Sequence, residues 1–207
     1  MAYPVSVTVE PRIANRNRLT TAFRIILAIP HFILVGGLGF SVLSRGSRTS
    51  FGGETGILGA IAILLAIVSW FTIVIAGNHV SGIRQFTLFF LRWRGRALAY
   101  LMLLEDQYPP FGDLAYPVAV SVVDPAGPRR RLSVFLRILL VIPNLIVFGF
   151  VVAAWMVTTV FAWFTIVIAG SYPAALYHFS AGALRWSIRL EAYLLLLVDD
   201  YPPFSLG

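Results

Sequence analysis

The chain of 207 residues contains no cysteine and no lysine, and it has few charged residues of either sign. Without cysteine there can be no disulfide, no thiolate nucleophile and no cysteine-ligated metal. Charged residues make up 12% of the chain, whereas about one quarter is usual for soluble domains. Hydrophobic residues make up 58%. This composition argues against an ordinary water-soluble domain and favours a small multipass membrane protein.

All of the basic charge is arginine, with 16 such residues against 9 acidic ones and a formal net charge of +7. Codon usage in a GC-rich genome would produce this bias, and so would selection for bidentate contact with phosphate. Basic charge on a membrane protein points first to anionic headgroups or cytoplasmic loops. We therefore expect anionic membrane lipids as partners, and no nucleic acid.

The main feature of the sequence is an internal repeat. The octapeptide WFTIVIAG at 70–77 returns at 163–170, and the ungapped segments 70–111 and 163–204 share 23 identities over 42 positions. We divide the chain into two repeats, residues 1–112 and 113–207.

Each repeat opens with alternating β-branched residues, YPVSVTV at 3–9 and YPVAVSVV at 116–123. This alternation predicts one short, half-exposed strand per repeat, and the two strands could pair with each other. Two apolar segments in the first repeat, 19–43 and 57–77, are each long enough to cross a membrane. In the second repeat, 132–170 is almost continuously apolar, and we expect two spanning helices joined by a tight turn around Gly149–Ala154.

A third helical stretch, at about 83–104, contains Arg84, Arg92, Arg94 and Arg96. A central arginine costs about 2.5–3.5 kcal/mol on membrane insertion scales, so an amphipathic helix at the membrane surface fits better than a span. The expected fold is mainly α and integral to the membrane. It has four transmembrane helices in two tandem hairpins, each hairpin followed by an amphipathic interfacial helix, and one short cytoplasmic strand per repeat.

Counting charges predicts the orientation of this fold. With two spans per repeat, fourteen arginines lie on the side of the termini and only Arg45 and Arg48 on the other. The positive-inside rule then puts both termini in the cytoplasm. The first apolar run starts near Leu19, and no small-residue cleavage site follows a short apolar core, so we expect this segment to remain as an uncleaved anchor.

Several short motifs occur in both repeats: the YPV strand start, R-I-[IL]-L-x-I-P at 24–30 and 137–143, WFTIVIAG, L-R-W, and D-x-Y-P-P-F. On these motifs the chain resembles the bacterial family named domain of unknown function 4389, in two tandem copies. The resemblance implies a small multipass protein of the bacterial plasma membrane. It implies no activity and carries over no catalytic residues.

The residues that could carry chemistry form no recognisable catalytic or metal-binding set. None of His31, His79 and His178 occupies an equivalent position in both repeats, and no glycine-rich phosphate loop follows a strand. Asp106 and Asp199 do recur, each just before Tyr-Pro-Pro-Phe, where a helix stop with a salt bridge explains them. We therefore expect no enzyme activity, no metal and no cofactor.

The Arg-Trp pairs are the best binding candidates. Arg92, Trp93 and Arg96 recur as Arg185, Trp186 and Arg189. Tryptophan is enriched at membrane interfaces and arginine binds phosphate through paired hydrogen bonds, so these residues are candidates for lipid headgroup binding. Simple anchoring of the helix is the alternative.

A second hypothesis concerns ion pairs at the same interface. We expect Arg24 and Arg137 to approach Asp106 and Asp199.

The sequence favours a non-enzymatic accessory, scaffold or lipid-organising membrane protein, whose strands could contact a cytoplasmic or membrane protein partner. A transporter or channel with a path between the repeats, near Pro30 and Pro143, is the alternative. A membrane-bound lipid enzyme would need a catalytic constellation that the sequence does not display.

Overall fold

The computed structural model describes residues 3–37, 56–125 and 129–207, which form a mainly helical fold with two strands. The elements follow one another as β1 (Val5–Val9), α1 (Arg18–Ala22), α2 (Arg24–Val35), α3 (Gly56–Ala76), α4 (Ser81–Leu101), β2 (Val118–Val122), α5 (Arg131–Phe135), α6 (Arg137–Ala169) and α7 (Ala174–Leu194). Each repeat thus contributes a strand, a short helix, an apolar helical region and a final helix.

The two strands pair in an antiparallel ribbon, which confirms the strands and their predicted pairing. Val5 lies opposite Val122, and Val7 lies opposite Val120. The valines on one face of this ribbon are buried, while the intervening Ser6 and Thr8 on the other face are exposed. The ribbon covers the last helices of both repeats, because β1 packs against α7 and β2 against α4.

The second repeat departs from the predicted hairpin. Helix α6 runs without interruption from Arg137 to Ala169, so the tight turn expected around Gly149–Ala154 is wrong. The physical reason is local. Beyond Pro143 the segment contains no further proline, its only glycine is Gly149, and a single glycine costs a helix only about 1 kcal/mol.

In the first repeat, α2 and α3 together correspond to α6. The repeat alignment places 24–35 on 137–148 and 56–76 on 149–169, so that residues 36–55 are an insertion. The two helix ends touch, since a Cβ atom on Gly56 would lie 2.5 Å from the Leu34 carbonyl oxygen. The end of the predicted first span, beyond residue 37, and the following loop with Arg45 and Arg48 lie outside the described residues.

Two helices in the described ranges are long and apolar enough to cross a membrane, where four were expected. They are α3, with a mean hydropathy of 2.7, and α6, with 2.5. Helix α2 is apolar but has only 12 residues, fewer than the roughly 20 that a crossing needs.

Helices α4 and α7 form the centre of the fold. Every residue from Trp93 to Tyr100 is buried, on all sides of α4. The same holds for most of α7. This corrects the expectation of amphipathic surface helices. α4 is enclosed by α2, α3, α7 and β2, and small residues such as Gly95 permit this close packing, since a Cβ there would meet Val120 at 2.9 Å.

The two repeats contact each other through their short helices. Short helix α1 of the first repeat packs against α6 of the second, and α5 of the second packs against α3 of the first. The predicted division at residue 112 stays a prediction, but the two halves bury each other's surfaces.

Candidate functional site

The ends of α4 and α7 have the same unusual backbone. Beyond each helix a leucine takes up a left-handed conformation, Leu103 with φ 63° and Leu196 with φ 61°. A non-glycine residue rarely adopts this conformation. Helix α4 ends at Leu101 and α7 at Leu194, so the carbonyls of each last turn lack a partner within the helix and can accept from other donors.

An arginine side chain occupies each of these helix ends. The Arg24 guanidinium donates to the Tyr100 carbonyl at 3.1 Å and to the Asp106 carboxylate at 2.8 Å. Arg137 donates to the Tyr193 carbonyl at 2.6 Å and to Asp199 at 2.9 Å. The structure therefore brings together both of the ion pairs expected from the sequence.

These guanidinium groups are buried, with Arg24 1% and Arg137 2% exposed. Each also lies over an aromatic ring, 4.0 Å from the Tyr100 centroid and 4.3 Å from the Tyr193 centroid. The negative end of the helix dipole, the ring and the carboxylate all favour the positive charge. The interruption between α1 and α2 at Phe23, and between α5 and α6 at Leu136, comes directly before each arginine.

A second arginine joins each pair. Arg16 approaches Asp106 at 2.7 Å, and Arg129 approaches Asp199 at 2.9 Å. Asp106 accepts one further hydrogen bond, because the Asn17 backbone N–H also donates to its carboxylate at 2.9 Å. We call Arg16, Arg24 and Asp106 the first arginine cluster, and Arg129, Arg137 and Asp199 the second.

Two opposing effects act on the pKa of Asp106. Burial raises the pKa, while the hydrogen bonds from Arg16 and the Asn17 N–H, with the charges of Arg16 and Arg24, lower it. The lowering effects prevail, so the carboxylate stays ionised to a lower pH than usual.

The predicted headgroup-binding arginines are partly engaged by the protein. Arg92 and Arg96 both contact the carboxylate of Asp113, at 2.9 and 2.7 Å. Arg185 donates to the Val7 carbonyl at 3.3 Å, and Arg189 donates to the Gly207 carbonyl.

The two tryptophans of these motifs do not face a surface, which corrects the expectation of interfacial indoles. Trp93 is 7% and Trp186 4% exposed. The Trp93 indole donates to His31 at 3.1 Å, and that of Trp186 donates to the Asn144 oxygen at 2.9 Å. A polar residue directly after the proline of α2 or α6 is thus the indole acceptor in both repeats.

The Tyr-Pro-Pro-Phe segments close over this acceptor. His31 stacks on Phe111 with ring centroids 4.8 Å apart, and Asn144 donates to the Pro202 carbonyl at 2.8 Å. Sequence reasoning missed this role because His31 and Asn144 differ chemically, although both follow Ile-Pro.

The repeated WFTIVIAG segment joins the two repeats. The Trp70 indole donates to the Val134 carbonyl of α5, and that of Trp163 donates to the Thr21 carbonyl of α1, both at 3.0 Å. The final glycines Gly77 and Gly170 have φ of 78° and 70°. Each glycine lies under an arginine of the other repeat, so both ends of the octapeptide hold the repeats together.

We expect Gly77→Ala and Gly170→Ala each to lower the free energy of unfolding by about 1–3 kcal/mol, because an L side chain is strained at this φ. A methyl group on Gly77 would also lie 2.7 Å from the Arg131 guanidinium. Denaturant unfolding followed by circular dichroism measures the effect. Gly149→Ala is the control, since its Cβ would meet nothing within 4 Å in a helix that favours alanine. Equal effects at Gly77 and Gly149 would contradict this account.

One buried ion pair breaks the symmetry between the repeats. Arg94 of α4 contacts Glu191 of α7 at 2.6 Å, with side chains 5% and 7% exposed. Arg94 also donates to the carbonyl of Val35, the last residue of α2, and at 2.8 Å to that of Gly37 at the start of the insertion. The repeat-equivalent residues are Ser187 and Leu98. In the second repeat, α6 corresponds to α2 and α3 together and has no such helix break. Sequence analysis missed this pair, because Glu191 has no acidic counterpart in the first repeat.

The two arginine clusters offer hydrogen-bond donors and positive charge. Within the described ranges, no group of three or more His, Asp or Glu side chains could hold a metal ion.

These features describe a duplicated helical protein held together by arginines at helix ends. The family model described as Domain of unknown function (DUF4389) matches residues 52–112 and 131–205, so the chain belongs to this family and contains two matching segments. No curated protein and no solved structure matches the chain.

Proposed function

We propose that the protein is a non-enzymatic integral membrane protein that acts as an accessory, scaffold or lipid-organising subunit. The observation that supports this proposal is the apolar outer surface of α3 and α6. Ile75 at the end of α3 is 74% exposed, and Phe150 and Ile168 of α6 are 75% and 72% exposed. No charged residue occurs between Arg137 and the end of α6, and none occurs in α3.

Such a surface is unfavourable in water. Burying one large apolar side chain contributes about 1.5–3 kcal/mol, and the exposed residues continue from Leu19 through α2 and from Leu132 through α5. A contiguous apolar surface of this extent indicates a partner or a membrane. Lipid suits these helices, because each contains an apolar stretch of about the 20 residues that a crossing needs.

The proposal includes topology. We propose that both termini lie on the cytoplasmic side of a bacterial plasma membrane, with the paired strands β1 and β2 on that same side. Because the chain has no cysteine, single cysteines at Ser6 and Ser205 can be labelled selectively in spheroplasts. Labelling by an impermeant maleimide only after lysis would support cytoplasmic termini, and labelling of intact spheroplasts would contradict them.

We expect the expressed chain to remain in the membrane pellet after extraction with alkaline carbonate, and to be released only by detergent. A peripheral membrane protein of known behaviour serves as the extraction control. Recovery of folded, monodisperse protein in the carbonate supernatant would overturn the proposed function.

The buried Arg94–Glu191 pair favours one alternative. It lies between α4 of the first repeat and α7 of the second, and buried ionisable pairs mark solute or proton paths in many membrane proteins. A transporter or channel between the repeats would produce solute or proton flux in liposomes, and this flux would be lost in Glu191→Gln. A scaffold would produce none.

A further inference from the structure

Two arginines occupy equivalent positions in the repeats and have no hydrogen-bond or ion-pair partner among the residues that the structure describes. Arg18 begins α1 and Arg131 begins α5. The Arg18 guanidinium lies over Gly170, with Nε 3.1 Å from the place of a Cβ atom, and that of Arg131 lies over Gly77, with a terminal nitrogen at 2.7 Å. Each guanidinium therefore rests on the last turn of an apolar helix that belongs to the other repeat.

Their lack of partners is unusual in this protein. Nine other arginines in the described part of the chain pair with carboxylates: Arg12, Arg16, Arg24, Arg84, Arg92, Arg94, Arg96, Arg129 and Arg137. Among those same described residues, Arg18 and Arg131 donate to neither a carboxylate nor a carbonyl, and both residues are exposed. Arg130 is also exposed, but its repeat equivalent is Asn17.

The surroundings of the two guanidinium groups are apolar in the same way. Leu19 next to Arg18 is 70% exposed, and Leu132 next to Arg131 is 72% exposed. Ile168, two residues before Gly170, and Ile75, two residues before Gly77, are 72% and 74% exposed. Each site therefore presents a full positive charge at the edge of a surface that acyl chains can cover.

We propose that Arg18 and Arg131 each bind the phosphate group of an anionic membrane lipid, so that the protein carries two equivalent lipid sites where the repeats meet. A guanidinium matches two phosphate oxygens with paired hydrogen bonds, and the flanking leucine and isoleucine contact the first part of the acyl chains. This inference rests on the proposed membrane function.

A purely structural role predicts something different. An arginine at a helix C-terminus also stabilises the helix dipole, and this role needs no ligand. The dipole carries about half an elementary charge, so the full charge of the guanidinium leaves each site positive and able to attract an anion.

The test uses the full chain purified in detergent, with short-chain phosphatidylglycerol and phosphatidylcholine as probes and native mass spectrometry as the readout. We expect up to two tightly bound phosphatidylglycerol molecules on the wild type. The double variant Arg18→Gln/Arg131→Gln is expected to bind them about tenfold more weakly, which corresponds to the loss of one charge-assisted contact per site, and to keep its weak phosphatidylcholine binding.

The matched control is Arg92→Gln/Arg185→Gln, which removes the same charge at another repeat-equivalent pair of arginines. Retained phosphatidylglycerol preference in the control supports the inference. Loss in the control with retention in Arg18→Gln/Arg131→Gln would overturn it and assign headgroup binding to the Arg-Trp motif.

Two further arms separate the remaining outcomes. Inorganic phosphate that displaced the lipid fully at equal concentration would identify free phosphate, and not lipid, as the ligand, and would overturn the inference. The double variant Arg18→Lys/Arg131→Lys keeps the charge. We expect it to keep most of the preference for phosphatidylglycerol and to fold as the wild type does.

A chain that resists carbonate extraction yet shows no preference for anionic lipid would defeat this inference alone, whereas a carbonate-soluble chain would defeat the proposed function as well.

Discussion

Glu191→Leu is expected to lower the free energy of unfolding by about 3–5 kcal/mol, the usual cost of breaking a buried ion pair on one side. The substitution installs the residue that the first repeat has at the equivalent position, Leu98. It leaves the Arg94 guanidinium buried, 5% exposed and without its carboxylate. Unfolding in detergent, followed by circular dichroism, measures the loss.

The partner substitution Arg94→Ser introduces the equivalent residue of the second repeat, Ser187. It removes the donor to the Val35 and Gly37 carbonyls and leaves Glu191 as a buried, unpaired carboxylate. The double variant removes both charges, so we expect its loss to be smaller than the sum of the two single losses by at least about 1 kcal/mol. Additive single effects would show that the two side chains do not act as a pair. Arg185→Gln, at a half-buried arginine with a single carbonyl contact, is the control and should cost no more than about 0.5 kcal/mol.

The helix break supplies the reason for this pair. Where α2 ends, the last carbonyls have no helical partner, and Arg94 donates to the carbonyl of Val35 and to that of Gly37 beyond the cap. Deleting residues 36–55 would join Val35 to Gly56 as Phe148 joins Gly149 in α6. In the Arg94→Ser/Glu191→Leu background, this deletion is therefore expected to recover part of the lost stability.

Asp106→Ala is expected to destabilise the protein by about 3–5 kcal/mol, because it leaves two buried arginines without a carboxylate. Arg16 and Arg24 both contact Asp106, and the Asn17 N–H donates to it as well. Asp199→Ala should fall at the lower end of this range, since the Asp199 carboxylate, which contacts Arg129 and Arg137, is 11% exposed against 5% for Asp106. Asp113→Ala is the matched control. Its carboxylate is 34% exposed, and exposed pairs contribute about 0–1 kcal/mol.

The same carboxylate predicts a pH dependence. The pKa of Asp106 is lower in the folded chain than its ordinary value, so the unfolded chain binds its proton more readily. Its contribution to stability is then complete above the unfolded pKa of about 3.9 and is lost as the pH falls through the folded pKa. We expect the wild type to lose stability on acidification in this window and Asp106→Ala to lose less. Parallel pH profiles for the two proteins would contradict this assignment.

Local sequence patterns predicted much of the fold. The alternation in 3–9 and 116–123 placed both strands, and the third helix, expected at about 83–104, is Ser81–Leu101. Repetition also helped, since Arg24 and Arg137 recur together with Asp106 and Asp199. A residue pair that recurs at fixed spacing in two copies suggests contact, and the structure brings both pairs within 2.9 Å.

The number of apolar helices was predicted less well, because length and hydropathy do not say where a helix must stop. Residues 137–169 have the composition of two short spans and form one helix. Only their packing against α7 and α1 distinguishes these arrangements. Similarly, the arginines of the third helical stretch suggested an amphipathic helix at the membrane surface, yet every residue of α4 from Trp93 to Tyr100 is buried.

By itself, the sequence determined the duplication, the strands, the apolar segments and the arginines next to helix ends, because periodicity and repetition are properties of neighbouring residues and of the alignment of the copies. Only the tertiary structure decided which repeat each of these elements contacts. Trp70 and Trp163 donate across the repeats over separations of 64 and 142 residues, and Arg94 meets Glu191 over 97. Contacts at such separations depend on how whole helices pack. This packing also buried the two indoles and left Arg18 and Arg131 without a carboxylate partner within the described part of the chain.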